Sequence, residues 1–167
     1  KYRRELTMKS INMFIVAMLS LAVFSANSVF AGDDGYGKQK VVYHINYDNP
    51  KAQAGALRNI NNHIKAVGAK NLDAKVVLHG KGLSLLLTPD SAAGTKMKTG
   101  NGNQEMAARV SGLKDLGVSF KVCNNTLKGK KITYDKDLFD VQKEDIVPSG
   151  VAELSRLQIL GYTYIKP

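Results

Sequence analysis

The sequence predicts an α/β fold: a single domain with a five-stranded, mainly parallel sheet flanked by helices on both faces, in a Rossmann-like three-layer arrangement. Three observations predict it. Runs of β-prone residues alternate with segments whose apolar side chains recur at helical spacing. The first run, residues 40–45, is β-prone without interruption, as a strand covered on both faces would be. Residues 32–167 suffice for one ordinary domain with one core.

The elements follow in order. After the strand at 40–45, Asp48, Asn49 and Pro50 turn the chain. Ala52, Ala56, Leu57, Ile60, Ile64 and Val67 then share one helical face, with Asn49 placed to cap the start and Gly68 to end it. His63 falls in this helix and reads as a surface residue. Residues 74–79 make a second strand, closed by Gly80, Lys81 and Gly82, and the apolar run 83–87 reads as a short helix. Residues 88–102, with Pro89, Gly94, Gly100 and Gly102 among small polar side chains, read as a surface loop with scope for movement. Met106, Val110 and Leu113 define a helix over 103–116, which leads into the strand 117–122 that ends at Cys123. A short strand at 145–147, a helix over 151–160 capped by Ser149, and a last strand at 162–165 complete the pattern. Strand order is not written in it. Parallel strands nevertheless all end at one edge, where open α/β sheets place their sites, and that edge gathers His44, Asn46, His79, Gly80, Cys123 and Asn124.

Residues 1–31 read as a leader. Met8 fits an initiator, Lys9 supplies a positive start, and residues 13–24 form an apolar stretch too short for a comfortable bilayer span. Val29, Phe30 and Ala31 fit a small-x-small cleavage site. The expectation is a mature domain over 32–167, exported to a bacterial periplasm, with no stable membrane insertion after cleavage.

The formal charge of +10 falls to +7 once Lys1, Arg3, Arg4, Lys9 and Glu5 are set aside with the leader. Such a surplus could attract nucleic acid, an anionic membrane or an acidic protein. The lysines are spread along the chain, however, aromatic residues are few, and no nucleic-acid-reading motif appears. The charge therefore reads as a solvated surface with a local bias at Lys128, Lys130 and Lys131, and no nucleic-acid partner is expected.

Cys123 is the one cysteine. Counting alone excludes an internal disulfide, a CxxC redox pair and a cysteine-based zinc cluster. In an oxidising compartment a lone thiol must bridge another molecule or stay chemically available. Its place, where an apolar strand gives way to the polar, cationic stretch 124–131, suits a thiolate stabilised by helix-start amides and lysines. A small packed hydrophobe is the competing reading. His79 or His44 could exchange protons with the thiol, while no closely spaced ligand motif supports a metal, and no cofactor is expected. A Cys-His hydrolase would need a nucleophile signature that Cys123 lacks, and Gly80-Lys81-Gly82 and Gly100-Asn101-Gly102 continue into neither a Walker A loop nor a GxGxxG fingerprint. Asn124-Asn125-Thr126 matches a glycosylation sequon, which carries little weight in a bacterium.

The segment Gly117-Val118-Ser119-Phe120-Lys121-Val122-Cys123-Asn124-Asn125-Thr126-Leu127-Lys128, the helix opening Ser149-Gly150-Val151-Ala152-Glu153-Leu154 and the closing Tyr162-Thr163-Tyr164-Ile165 resemble the DsrE/DsrF-like proteins of sulfur relay. The likeness runs through residues 32–167. It implies a small α/β protein that assembles as a trimer or hexamer and carries sulfane sulfur as a persulfide at the position of Cys123. The expected partners are sulfur donor and acceptor proteins or small thiols. Cys123 would be the carrier, with Asn124, Asn125 and Lys128 stabilising its charge and His79 moving protons. The alternative is a noncatalytic ligand-binding or assembly module with a structural cysteine, in which the 88–102 loop meets the partner.

Overall fold

The computed structural model describes residues 35–167, and the expected leader lies outside them. Chain order is β1 (Gln39–Ile45), α1 (Pro50–Val67), β2 (Leu72–Leu78), a 3-10 helix (Gly80–Leu85), α2 (Pro89–Ala92), α3 (Gln104–Asp115), β3 (Ser119–Cys123), α4 (Asn124–Lys130), α5 (Tyr134–Asp137), β4 (Ile146–Val147), α6 (Gly150–Ile159) and β5 (Thr163–Ile165). The five strands form one sheet in the order β4-β3-β2-β1-β5, and every pairing is parallel. The expected α/β architecture is what the chain adopts.

Three helix starts are set by side-chain caps, of which Asn49 and Ser149 were marked by sequence and Asn103 was not. The Asn49 carboxamide accepts from the Ala52 amide at 2.9 Å, Asn103 from Met106 at 3.0 Å and the Ser149 hydroxyl from Ala152 at 3.4 Å. Strand alternation then sorts residues between the two faces of the sheet. On one face Val41, Tyr43, Ile45, Ala74, Val76, Leu78, Phe120 and Val122 pack with α1 and α3 into the main core. The opposite face is thinner: Val42 and Val77 meet only Leu154 and Leu157 of α6, with Tyr162 at the margin. A fully buried Leu, Ile or Val contributes about 1.5–3 kcal/mol, so cohesion is concentrated on the first face.

Two expectations need correction. The stretch 88–102 is held, not loose: it contains α2, buries Met97, and pins the Lys96 amide to the Lys130 carbonyl at 2.7 Å. Its glycines permit close packing, since a Cβ at Gly102 would come within 2.8 Å of the Leu86 carbonyl oxygen. His63 is half-buried and bridges the Tyr43 hydroxyl (2.5 Å) and the Gln39 side chain (2.7 Å) across α1 and β1. The polar stretch after Cys123, read as supplying helix-start amides, is helical over Asn124–Lys130. Its Asn, Thr and Gly content gives little intrinsic helix propensity, and Leu127 alone anchors it in the core. No helix among the described residues is long and apolar enough to cross a membrane.

Candidate functional site

Parity along the strands builds the site. Val42 pairs with Tyr164 and His44 with Val77, so His44 and Tyr164 share the thinner face with Val77. His79 lies two residues beyond Val77, on that same face. Leu78 pairs with Val122 and Cys123 with Val147, which puts His79 and Cys123 at the next step of neighbouring strands. Four adjacent strands thus carry Cys123, His79, His44 and Tyr164 in one row across their carboxyl ends, where strand neighbours stand about 4.8 Å apart.

The row is hydrogen-bonded along most of its length. The Tyr164 hydroxyl lies 2.6 Å from His44 Nδ1, and His44 Nε2 lies 2.7 Å from His79 Nε2. The two imidazole centroids are 4.7 Å apart with planes inclined by 24°, as in rings that meet edge to edge through these nitrogens. Burial, the neighbouring His79 and the Lys166 ammonium together push His44 down to about 4, while burial and Lys166 lower His79. Both rings are therefore neutral around pH 7. Between two neutral imidazoles one Nε2 must donate and the other accept, so either direction satisfies the contact.

Gly150, the first residue of α6, closes the row at the thiol end. A Cβ there would come within 2.9 Å of the His79 Cβ and 3.2 Å of the Cys123 Cβ. Only a residue without a side chain lets the helix start descend between them. Cys123 itself is the N-cap of α4, which aims its side chain towards the second and third amides of that helix, those of Asn125 and Thr126. Burial on its own would raise the thiol's pKa. The Thr126 hydroxyl and the amides of Gly150, Thr126 and Asn125 more than offset it, leaving the thiol below its ordinary value. Cys123 makes no side-chain cap hydrogen bond; the nearby donors lower its pKa because they favour the anion over the thiol. Thr126 is well placed to donate because its Oγ1 already accepts from the Gly80 amide at 2.9 Å.

Cys123 is only 5% exposed. Its surroundings are nevertheless polar, and it belongs to neither apolar cluster.

Of the residues singled out from sequence, Asn125 and His79 meet the surroundings of Cys123. Asn124 and the exposed Lys128 instead line a neighbouring groove of about 430 Å³ with Lys131, Thr133 and Tyr134. Thr126, Gly150 and Tyr164 were not anticipated. Thr126 was findable, since reading Cys123 as an N-cap makes its third following residue a donor. Gly150 and Tyr164 needed the strand order. Among the described residues no three His, Cys, Asp or Glu side chains gather as a metal-ligand set.

With this geometry in hand, comparison adds two likenesses. The model of the DsrE/DsrF-like family matches residues 40–167. The solved structure titled as a protein of unknown function, MTH1491 from Methanobacterium thermoautotrophicum, is 28% identical with a TM-score of 0.62, over 78% of this chain and 100% of that one. No curated protein matches the sequence.

Proposed function

The chain belongs to the DsrE/DsrF-like family, and from that membership we propose that it is a periplasmic sulfur carrier of sulfurtransferase-like type, holding sulfane sulfur as a persulfide on Cys123. One observation carries the reading: Cys123 stands as the N-cap of α4 with the start of α6 at Gly150 beside it, a placement in which Thr126, Gly150 and Asn125 hold the thiol below its ordinary value in spite of burial. A packing cysteine needs no such arrangement. Thiolate is the nucleophile in sulfur exchange, and the same donors suit the persulfide anion that follows. Asn124 and Lys128 would receive the donor or acceptor, a protein or a small thiol, from the adjoining groove. Export rests on the leader pattern in residues 1–31. Homo-oligomerisation is part of the proposal, supported by the exposed Val151, Ile159 and Leu160 on α6 and its end.

Incubation with polysulfide followed by intact-mass spectrometry tests the carrier role. The expected result is an adduct of about 32 daltons, one sulfur atom, removed by reductant and missing in Cys123→Ser. Absence of that adduct in the wild type refutes the proposal.

The slight exposure of Cys123 favours a second reading, a structural cysteine in a noncatalytic binding or assembly module. Iodoacetamide separates the two. A carrier thiol is alkylated in the folded protein, whereas a structural one reacts only after unfolding.

A further inference from the structure

We propose that Tyr164, His44 and His79 form a proton relay that runs from the solvent-facing rim of the sheet to the surroundings of Cys123 and serves sulfur transfer there; this rests on the carrier reading given above. The three groups occupy three adjacent strands on one face and are joined by contacts of 2.6 and 2.7 Å. The outer end is wet, since Tyr164 is 40% exposed. At the inner end His79 and Cys123 flank the same helix start, since a Cβ at Gly150 would come within 2.9 Å of the His79 Cβ and 3.2 Å of the Cys123 Cβ. Between them His44 is 8% exposed and both its ring nitrogens are engaged, so protons reach it only through its neighbours.

Such a chain has two self-consistent settings. In one, Tyr164 donates to His44 Nδ1, His44 Nε2–H donates to His79 Nε2, and His79 carries its proton on Nδ1. When that Nδ1 proton leaves, His79 takes a proton at Nε2 from His44. His44 takes one at Nδ1 from Tyr164, and the hydroxyl is refilled from solvent. One proton has then moved inward, and no imidazolium has formed at any stage.

Sulfur transfer needs that proton. The Cys123 thiolate attacks the outer sulfur of a donor persulfide RS–SH. The new S–S bond forms as the donor's S–S bond breaks, and the electron pair leaves with RS⁻. Protonation of RS⁻ gives RSH, so Cys123–S⁻, RS–SH and H⁺ become Cys123–S–SH and RSH. Sulfane sulfur keeps its oxidation level, and no oxidant or reductant enters. His79 would donate to the leaving thiolate, with His44 and Tyr164 as positioning residues that act through it.

The test compares two reactions of the full chain. Sulfur transfer from glutathione persulfide requires a protonated leaving group, while alkylation by iodoacetamide expels iodide and requires none. The relay predicts that Tyr164→Phe and His44→Asn slow transfer about tenfold to a hundredfold, in the range of lost general acid–base assistance, while alkylation at matched pH stays within about twofold. It also predicts a curved dependence of transfer rate on deuterium content in the wild type that becomes linear in Tyr164→Phe, whose exposed position spares the fold. Unchanged transfer in both variants, or transfer and alkylation slowed alike, overturns the relay while the Cys123 adduct keeps the carrier reading intact. Failure of the wild type to form the adduct removes both.

Discussion

Two polar clusters sit at the carboxyl end of the sheet, one on each face, and they are built on opposite principles. On the main-core face the fully buried Gln53 donates to the Tyr47 carbonyl (2.7 Å) and the Ser84 hydroxyl (2.9 Å), and its oxygen accepts from Asn101 (2.9 Å), which also donates to the Asp48 carbonyl (2.8 Å). Carboxamides have fixed donor and acceptor ends, so every bond here has one direction. On the thinner face the row Tyr164–His44–His79 consists of groups that can exchange donor and acceptor roles. The first cluster can only hold; the second can also conduct. Among the described residues no buried side-chain nitrogen or oxygen lacks a partner, so the two differ in reversibility rather than in completeness.

The largest expected effect follows from breaking the fixed cluster. Gln53→Ala removes three hydrogen bonds at once: the Tyr47 carbonyl and the Ser84 hydroxyl lose their donor from Gln53, while the Asn101 carboxamide keeps only the Asp48 carbonyl and the Ser84 hydroxyl as acceptors. A loss of about 2–4 kcal/mol is expected, measured as a lower urea midpoint at unchanged slope. Below the transition, iodoacetamide should alkylate Cys123 of the variant at the wild-type rate. If the variant is stable yet its thiol chemistry is impaired, the division between holding and reacting clusters is wrong.

The reversible cluster shows itself through pH. An unfolded histidine titrates near 6.5, whereas folded His44 resists protonation down to about 4. Between those values the unfolded chain binds more protons than the folded one, so stability falls as pH drops through this window and is complete above it. A shift of this size corresponds to at most about 3 kcal/mol by the time pH reaches 4. The window lies above that of Asp73, whose carboxyl is raised by burial but lowered further by the Tyr162 hydroxyl and Lys75, so that its contribution is lost only below 3.8. Urea midpoints at pH 7.5, 5.5 and 4.5 should decline in the wild type and less in His44→Gln, where the remaining decline comes from His79, lowered by burial and Lys166. A flat wild-type profile would mean that His44 charges without cost, contrary to its buried place between His79 and Tyr164.

The two clusters also differ in how far they could be read in advance. Strand and helix periods, cap residues and the position of Cys123 at a strand end are local properties, and each was legible from residue spacing. The row of His44, His79, Cys123 and Tyr164 was only half legible: alternation fixes each residue's parity, but adjacency depends on strand order, which one sequence does not encode. Asn101 was hidden for another reason. It stands among Gly100, Gly102 and small polar residues, a composition shared by loose loops and by segments that pack backbone against backbone, and only the latter brings a Cβ position at Gly102 to 2.8 Å from the Leu86 oxygen. The thiol's near burial was equally invisible, because the group that covers it, Gly150, arrives from a helix 27 positions later in the numbering.

The smallest expected effect gives the sharpest test of the reactive end. Thr126 bonds in two directions, accepting from the Gly80 amide at 2.9 Å and favouring the Cys123 thiolate through its hydroxyl. Thr126→Val keeps the shape and removes both. Loss of the Gly80 partner should cost about 1 kcal/mol of stability, a typical unpaired amide. Loss of the donor to sulfur should move the thiol's pKa upward. Since a hydrogen bond to a charged group contributes about 1.5–3 kcal/mol, alkylation at pH 7 should slow about tenfold or more, with the rate recovering at a pH where both proteins are fully thiolate. An alkylation profile that matches the wild type at every pH would show that the amides of Gly150, Thr126 and Asn125 set the thiolate unaided. Thr126 would then be a strap between Gly80 and α4, and the reactive cluster would be, at its sulfur end, as fixed as the one around Gln53.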